Sequence, residues 1–170
     1  MSAETVICGI VLHPAGHTRS PAMHNAACEA RGIRGTYRAF DVPPDGLPDA
    51  IAQMRERGLR QLAVSIPHKT AVMAHLDRVD PTARAIGAVN TVTLREDGLE
   101  GANTDWIGAL KALSREIEPR GRRAVVLGAG GAARAGVYGL LEAGARVSVS
   151  YTHLRAHETR HDLVCRLLLE

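Results

Sequence analysis

The sequence predicts an α/β fold, and three observations carry that prediction. Short apolar runs suited to buried strands alternate with stretches of helical periodicity up to residue 150. Asp97-Gly98 lies between two β-rich runs, which is a strong hairpin signal. Ala124-Val125-Val126-Leu127 runs into Gly128-Ala129-Gly130-Gly131-Ala132 and then into a helical stretch. Strand, glycine turn and helix in that order open a dinucleotide-binding unit of Rossmann type.

The elements follow in order. Residues 6–12 are continuously apolar apart from Gly9 and suit a buried parallel strand. Ser20-Pro21 marks a helix start, with Ser20 as N-cap and Pro21 in the first helical position. That helix runs to residue 31, and Gly32 ends it. A second strand covers 37–42. Leu47, Ile51 and Met54 have helical spacing, closed by Gly58. A third strand, 62–66, ends at Pro67, which removes a ladder donor. Two short helical stretches follow at 70–76 and 81–86, the second stopped by Gly87. Strands at 90–95 and 99–102 are joined by Glu96-Asp97-Gly98. Residues 104–117 place Ile107, Leu110, Leu113 and Ile117 on one helical face. Pro119-Arg120-Gly121 breaks the pattern and is the expected domain boundary, giving domains at 1–119 and 120–150. Beyond it come a strand at 124–127, a helix at 132–143 ended by Gly144, and a strand at 146–150.

Composition narrows the function. The 170 residues allow one domain or a small pair, and 45% hydrophobic residues suffice for a core. Aromatics at 3% argue against a platform for stacking nucleic-acid bases. The net charge of +3 comes from dispersed arginines, so it describes a solvated surface with a weak pull on small anions. Cys8, Cys28 and Cys165 have neither metal-like nor disulfide-like spacing, and with no export signal at the N-terminus they suggest reduced thiols in the cytoplasm. No apolar run reaches the roughly 20 residues needed to span a bilayer.

Several residues could carry chemistry, each against a plainer reading. Gly128, Ala129, Gly130, Gly131 and Ala132, with Ala133 in the last place, fit a diphosphate-binding fingerprint. The plainer reading is a tight turn without a ligand. The acid that would hold an adenine ribose belongs about 20 residues on, where Tyr151 and Thr152 stand. Lys69, after Pro67 and His68 at a strand exit, is either a solvated charge or a proton donor. Asp105 follows two candidate caps, Asn103 and Thr104, so its carboxylate is not needed for capping. A Lys–Asp pair would keep the lysine charged and oriented for proton transfer. Thr18 and Ser20 could cap a helix or hold a carboxylate at its N-terminus. His17, His24 and His68 lack metal-ligand spacing and suit packing or turn roles.

In this order the motifs resemble the shikimate dehydrogenase family, over residues 6–150. That family has an N-terminal α/β substrate-binding domain followed by a Rossmann-type NADP-binding domain, and this chain is expected to hold the first and the opening part of the second. The family's hydroxyl-x-Ser-Pro-x-x-His-Asn run matches Thr18-Arg19-Ser20-Pro21-Ala22-Met23-His24-Asn25, which implies that Thr18 and Ser20 hold the substrate carboxylate. Its V-T-I-P-[FH]-K motif matches Val64-Ser65-Ile66-Pro67-His68-Lys69, making Lys69 the catalytic lysine, with Ser65 retaining the threonine hydroxyl. The G-A-V-N-T motif is intact at 87–91 and implies that Asn90 binds ring hydroxyls. N-T-D is intact at 103–105, making Asp105 the partner of Lys69. G-A-G-G-A at 128–132 implies NADP as cofactor.

The resemblance implies an NADPH-dependent oxidoreductase reducing 3-dehydroshikimate to shikimate in chorismate and aromatic amino acid biosynthesis. The expected protein is cytoplasmic, has no metal and no nucleic-acid or membrane partner, and forms a homodimer as one candidate assembly. Ala63 stands where the family has Asn, which leaves quinate or an amino analogue open as the substrate. From Tyr151 the chain departs from the family's N-R-T continuation. Residues 151–170 resemble translated sequencing-adapter read-through and are expected to be a foreign tail. In that tail His153, His157 and His161 mimic a metal stripe at helical spacing. A chain so shortened is expected to bind NADP weakly, and an inactive substrate-binding fragment is the alternative reading.

Overall fold

VICGIVL contains no charged residue, and it becomes the inner strand β1 (Val6–Leu12) of the larger sheet. The computed structural model describes residues 5–150 and the main chain of Leu168–Leu169. The chain divides into two compact units, Met1–Arg84 with Ala88–Ala102, and Ala85–Gly87 with Asn103–Glu170.

In the first unit β1 leads to α1 (Ser20–Ala30), β2 (Gly35–Asp41), α2 (Leu47–Glu56) and β3 (Leu59–Val64). A 3-10 turn (Ala71–His75), β4 (Arg78–Val79), α3 (Pro81–Ile86), β5 (Thr91–Arg95) and β6 (Gly98–Ala102) follow, with the end of α3 counted in the second unit. The sheet order is β2-β1-β3-β5-β6-β4. β2 and β3 flank β1 in parallel, whereas β5 pairs antiparallel with β3 and forms a hairpin with β6. Leu47, Ile51 and Met54 of α2 are buried against Val11, Leu62 and Val64 of the sheet. Each such aliphatic side chain contributes about 1.5–3 kcal/mol on burial.

In the second unit α4 (Asp105–Leu113) precedes β7 (Arg123–Leu127), α5 (Gly131–Glu142) and β8 (Arg146–Ser150). β7 and β8 are parallel, and the main chain of β9 (Leu168–Leu169) pairs antiparallel with β7. The core here is small: Ala124, Val126, Ala133, Leu140 and Ala145. The alternate residues of β7, Val125 and Leu127, face outward, with Leu127 52% exposed. Parallel strands usually bury both faces, so this sheet presents an apolar side to solvent.

The structure shifts several expected boundaries. Ser20 is the first helical residue, not the cap; its N–H donates to Thr18 Oγ1 at 3.3 Å. The 104–117 helix stops at Leu113. Of its expected stripe, Leu113 packs on the core of the second unit and Leu110 and Ile117 are half-buried, whereas Ile107 is 41% exposed and the adjacent Trp106 packs edge-on against Tyr138 of α5 at 5.3 Å. The Trp106 carbonyl comes within 3.0 Å of the position a Cβ at Gly139 would take. α4 belongs to the second compact unit. The expected tail lies outside the described residues except for the main chain of β9. Among the described residues no helix is long and apolar enough to cross a membrane.

Candidate active site

The parallel strands β1, β2 and β3 end on one side of the larger sheet, and β5 begins there. Open α/β sheets place ligands at this end, where rigid strands present loops that can carry polar groups. Ser65 follows β3, and Asn90 precedes β5 beside the Ala63–Thr91 pair. Main-chain bonds join these loops. Ser65 N–H donates to the Val11 carbonyl at 2.9 Å, Val64 N–H to that of Asn90 at 2.8 Å, and Val89 N–H to that of Lys69 at 2.7 Å. Ser65, Lys69 and Asn90, all half-buried, thus ride on one hydrogen-bonded frame. Thr91 Oγ1 donates to Asn90 Oδ1 at 2.9 Å and orients that amide.

Two histidines brace the frame. His13 N–H donates to the Ile66 carbonyl at 3.0 Å, and its ring Nδ1 lies 2.8 Å from Asp41 Oδ1. Ionised carboxylates only accept, so Nδ1 carries the proton. The bond from His13, then one from the Ala15 backbone, holds the Asp41 carboxyl below its usual range. His68 is 1% exposed, and its Nε2–H donates to the Val42 carbonyl at 2.7 Å. The Ser65–His68 turn is closed by His68 N–H on the Ser65 carbonyl at 2.8 Å.

Burial pushes the His68 imidazole below its ordinary value of 6.5. The unfolded chain therefore takes up a proton that the folded chain refuses. This contribution to stability is complete above about pH 6.5 and is lost as pH falls from there toward the folded value. Urea midpoints measured from about pH 7.5 to about pH 5 should decline less in His68→Phe than in the wild type. The other histidines are common to both proteins and cancel in the comparison; equal slopes would contradict the assignment.

Thr18 and Ser20 lie at the start of α1, both half-buried. In the same motif Asn25 brackets the edge strand β2: its Nδ2 donates to the Tyr37 carbonyl at 3.1 Å, and its Oδ1 accepts the Tyr37 N–H at 2.8 Å. His24 stacks on the Tyr37 ring at 4.2 Å. Burial, and then the neighbouring Cys8, push the Tyr37 hydroxyl up to about 12. The His-Asn pair therefore secures α1 to the sheet and satisfies edge groups that could otherwise recruit another strand.

In the second unit Asn103 is buried, and its Oδ1 accepts the Asp105 N–H at 2.9 Å. That bond secures the start of α4 without the Asp105 carboxylate, which is half-buried. The glycine turn joins β7 to α5. Gly128 has φ +112°, and its N–H donates to the Ser150 carbonyl at 2.9 Å. A Cβ on Gly130 would meet nothing within 4 Å, so the space over the first turn of α5 is open. Unpaired helix N-terminal amides beside open space fit a diphosphate. An adjoining cavity of about 270 Å³ is walled by Gly128, Ala129, Tyr138 and Val149, with Ile86. A larger one of about 480 Å³, between β2 and α2, includes Asp41 and Asp49 but none of the predicted site residues. Among the described residues no group of three or more His, Cys, Asp or Glu could hold a metal ion.

A sequence profile of the shikimate dehydrogenase substrate binding domain matches residues 10–92. The NADP(+) shikimate dehydrogenase of Symbiobacterium thermophilum is 58% identical over 130 residues, covering 76% of this chain and 44% of that protein. The chain belongs to the shikimate dehydrogenase family. Shikimate dehydrogenase from Aquifex aeolicus superposes with a TM-score of 0.83 at 38% identity, covering 89% of this chain and 57% of that one. The Thermus thermophilus enzyme, solved with NADP(H) and shikimate, gives 0.77 at 43% identity, covering 87% and 56%. The chain spans about half the length of the curated relatives it matches.

Within this shikimate dehydrogenase frame, the sequence signalled Ser65, Lys69 and Asn90, and the structure brings their loops together. It did not signal His13 and Asp41, which brace those loops. The available signal was position: each is polar and sits at or just after the end of a parallel strand. His68 had a packing role on sequence grounds, and the bond to Val42 makes that role specific. Ala63, the departure from the family's Asn, is half-buried in β3 between Ile10 and Thr91.

Proposed function

We propose that this chain is the substrate-binding half, with the opening of the NADP-binding half, of an NADP-dependent shikimate dehydrogenase that reduces 3-dehydroshikimate to shikimate. The observation that carries the reading is the frame holding Ser65, Lys69 and Asn90 at the carboxyl end of the sheet. The chain also resembles a Thermus thermophilus enzyme solved with NADP(H) and shikimate, at 43% identity.

NADPH supplies the hydride that converts the ring ketone to an alcohol. Thr18 and Ser20 bind the substrate carboxylate through their hydroxyls, and Ser65 and Asn90 hold the ring hydroxyls. Lys69 gives its ammonium proton to the ring oxygen as negative charge develops there, and Asp105 keeps Lys69 charged and oriented. Residues 128–132 hold the diphosphate on the amides of α5. With this reading go the cytoplasmic location and, as one candidate assembly, a homodimer.

Calorimetric titration with shikimate, together with NADPH consumption on 3-dehydroshikimate, tests the proposal. Saturable shikimate binding is expected, with quinate binding more weakly. If the folded chain gives neither shikimate binding nor turnover, the assignment is wrong.

A further inference from the structure

Cys8 in β1 and Cys28 in the last turn of α1 are half-buried free thiols of the first unit. β1 pairs with β2 in register, Val6 with Gly35 and Cys8 with Tyr37. Alternate strand residues share a face, so Cys8, Gly35 and Tyr37 point to one side of the sheet. α1 lies on that side, where His24 stacks on Tyr37. Cys28 is one helical turn beyond His24 and shares its helix face. Its Sγ stands 3.2 Å from the position a Cβ on Gly35 would take. Ile33 N–H donates to the Cys28 carbonyl and Gly35 N–H to the Ile33 carbonyl, each at 2.9 Å, which keeps the end of α1 over the start of β2. Gly35 has no side chain to come between Cys28 and the strand pair that bears Cys8. Burial pushes the Cys8 thiol up, the Gln61 main chain lowers it in part, and the Cys28 thiol raises it again.

We infer that Cys8 and Cys28 form a modification site, which a small-molecule disulfide such as oxidised glutathione converts reversibly to an internal disulfide fastening α1 to β1. One protein thiolate attacks the glutathione disulfide, forms a mixed disulfide and releases one glutathione thiolate. The second protein thiolate attacks the protein sulfur of that mixed disulfide, forms the Cys8–Cys28 bond and releases the other. The two cysteines lose two electrons, glutathione disulfide gains them, and the two thiol protons pass to the released glutathione. The bond asks for Cα atoms about 5.5–6 Å apart. α1 has no buried residue, so the helix is free to settle onto the strand and meet that spacing. Thiols kept reduced in a cytoplasm make such a pair responsive to oxidation. Because Ser20 opens α1, the bond also steadies the hydroxyls of Thr18 and Ser20. Its effect on substrate rests on the reading of those two residues as carboxylate contacts.

The full chain, reduced and then equilibrated with oxidised glutathione, tests the inference by peptide mapping. The expected product joins the Cys8 peptide to the Cys28 peptide, in the wild type and in Cys165→Ser alike, and dithiothreitol reverses it. On the Cys165→Ser background, Cys8→Ser and Cys28→Ser should each stop at a glutathione adduct on the remaining thiol. A wild type carrying only glutathione adducts, or a bond from either cysteine to Cys165, overturns the inference. Amide hydrogen exchange in α1 should slow by about tenfold on oxidation, with α2 unchanged; unchanged exchange across α1 overturns the fastening. The shikimate Kd should fall by about fivefold on oxidation. An unchanged Kd in a chain that binds shikimate overturns the effect on substrate. A chain that binds no shikimate defeats the functional reading, and the peptide map still decides the disulfide.

Discussion

Lys69→Ala is expected to lower kcat for reduction of 3-dehydroshikimate by about 10²- to 10⁴-fold, the range for removing a positioned proton donor. The change in shikimate Kd should be far smaller, because Thr18, Ser20, Ser65 and Asn90 supply the ground-state contacts in this reading. A loss confined to kcat marks an interaction made chiefly in the transition state; a matching loss of affinity would mark Lys69 as a binding residue. Lys69→Arg separates charge from proton donation. It keeps a cation on the same loop, but a guanidinium is too weak an acid to donate readily. It should therefore keep binding near that of the wild type and leave turnover low. The loop should survive both changes, since its shape comes from main-chain bonds at Ser65, His68 and Val89 and from the buried His68 ring. Full turnover by Lys69→Ala in an enzyme competent in hydride transfer would remove Lys69 from the mechanism.

How much of this could be read from the sequence depended on whether the deciding interaction was local. Gly32, Gly58, Gly87 and Gly144 were legible as helix stops, and each has a positive φ in the structure. The α2 stripe of Leu47, Ile51 and Met54 was legible because a burial face follows from periodicity. The α4 stripe was legible at Leu110, Leu113 and Ile117 but not at Ile107, because the adjacent Trp106 takes the place against α5, a partner helix distant in sequence. At the site, Ser65, Lys69 and Asn90 could be named from motifs. The brace of His13 on Asp41 spans 28 residues, and that of His68 on Val42 spans 26. Only the parallel pairing of β1 with β2 and β3 places those partners side by side.

Gly9→Ala should destabilise the first unit by about 1–3 kcal/mol, the range for overpacking a well-filled interior. Gly9 is paired with Arg38 across β1 and β2. A Cβ there would stand 2.5 Å from the Phe40 ring and 2.6 Å from the Arg38 carbonyl oxygen. The ring could turn aside, but the carbonyl belongs to the ladder, so relief requires β2 to move away from β1. Fewer unfolded conformations favour alanine by about 0.4–1 kcal/mol and offset only part of this. Gly108→Ala in α4 is the control: its Cβ would meet nothing within 4 Å, and it should stabilise by about 0.5–1 kcal/mol. Opposite signs for the two substitutions in urea denaturation are the expected result; the same sign would show that β1 and β2 can separate at little cost. Phe40→Leu on the Gly9→Ala background should recover part of the loss, since it removes the ring clash and leaves the carbonyl. The remainder measures the ladder itself. The displacement also reaches the site. β2 carries Asp41 and leads directly to Val42, the partners of His13 and His68. Gly9→Ala should therefore weaken shikimate binding even where the protein remains folded, although the substitution lies in the middle of a strand that touches none of the proposed substrate residues except through the Ser65 amide on Val11.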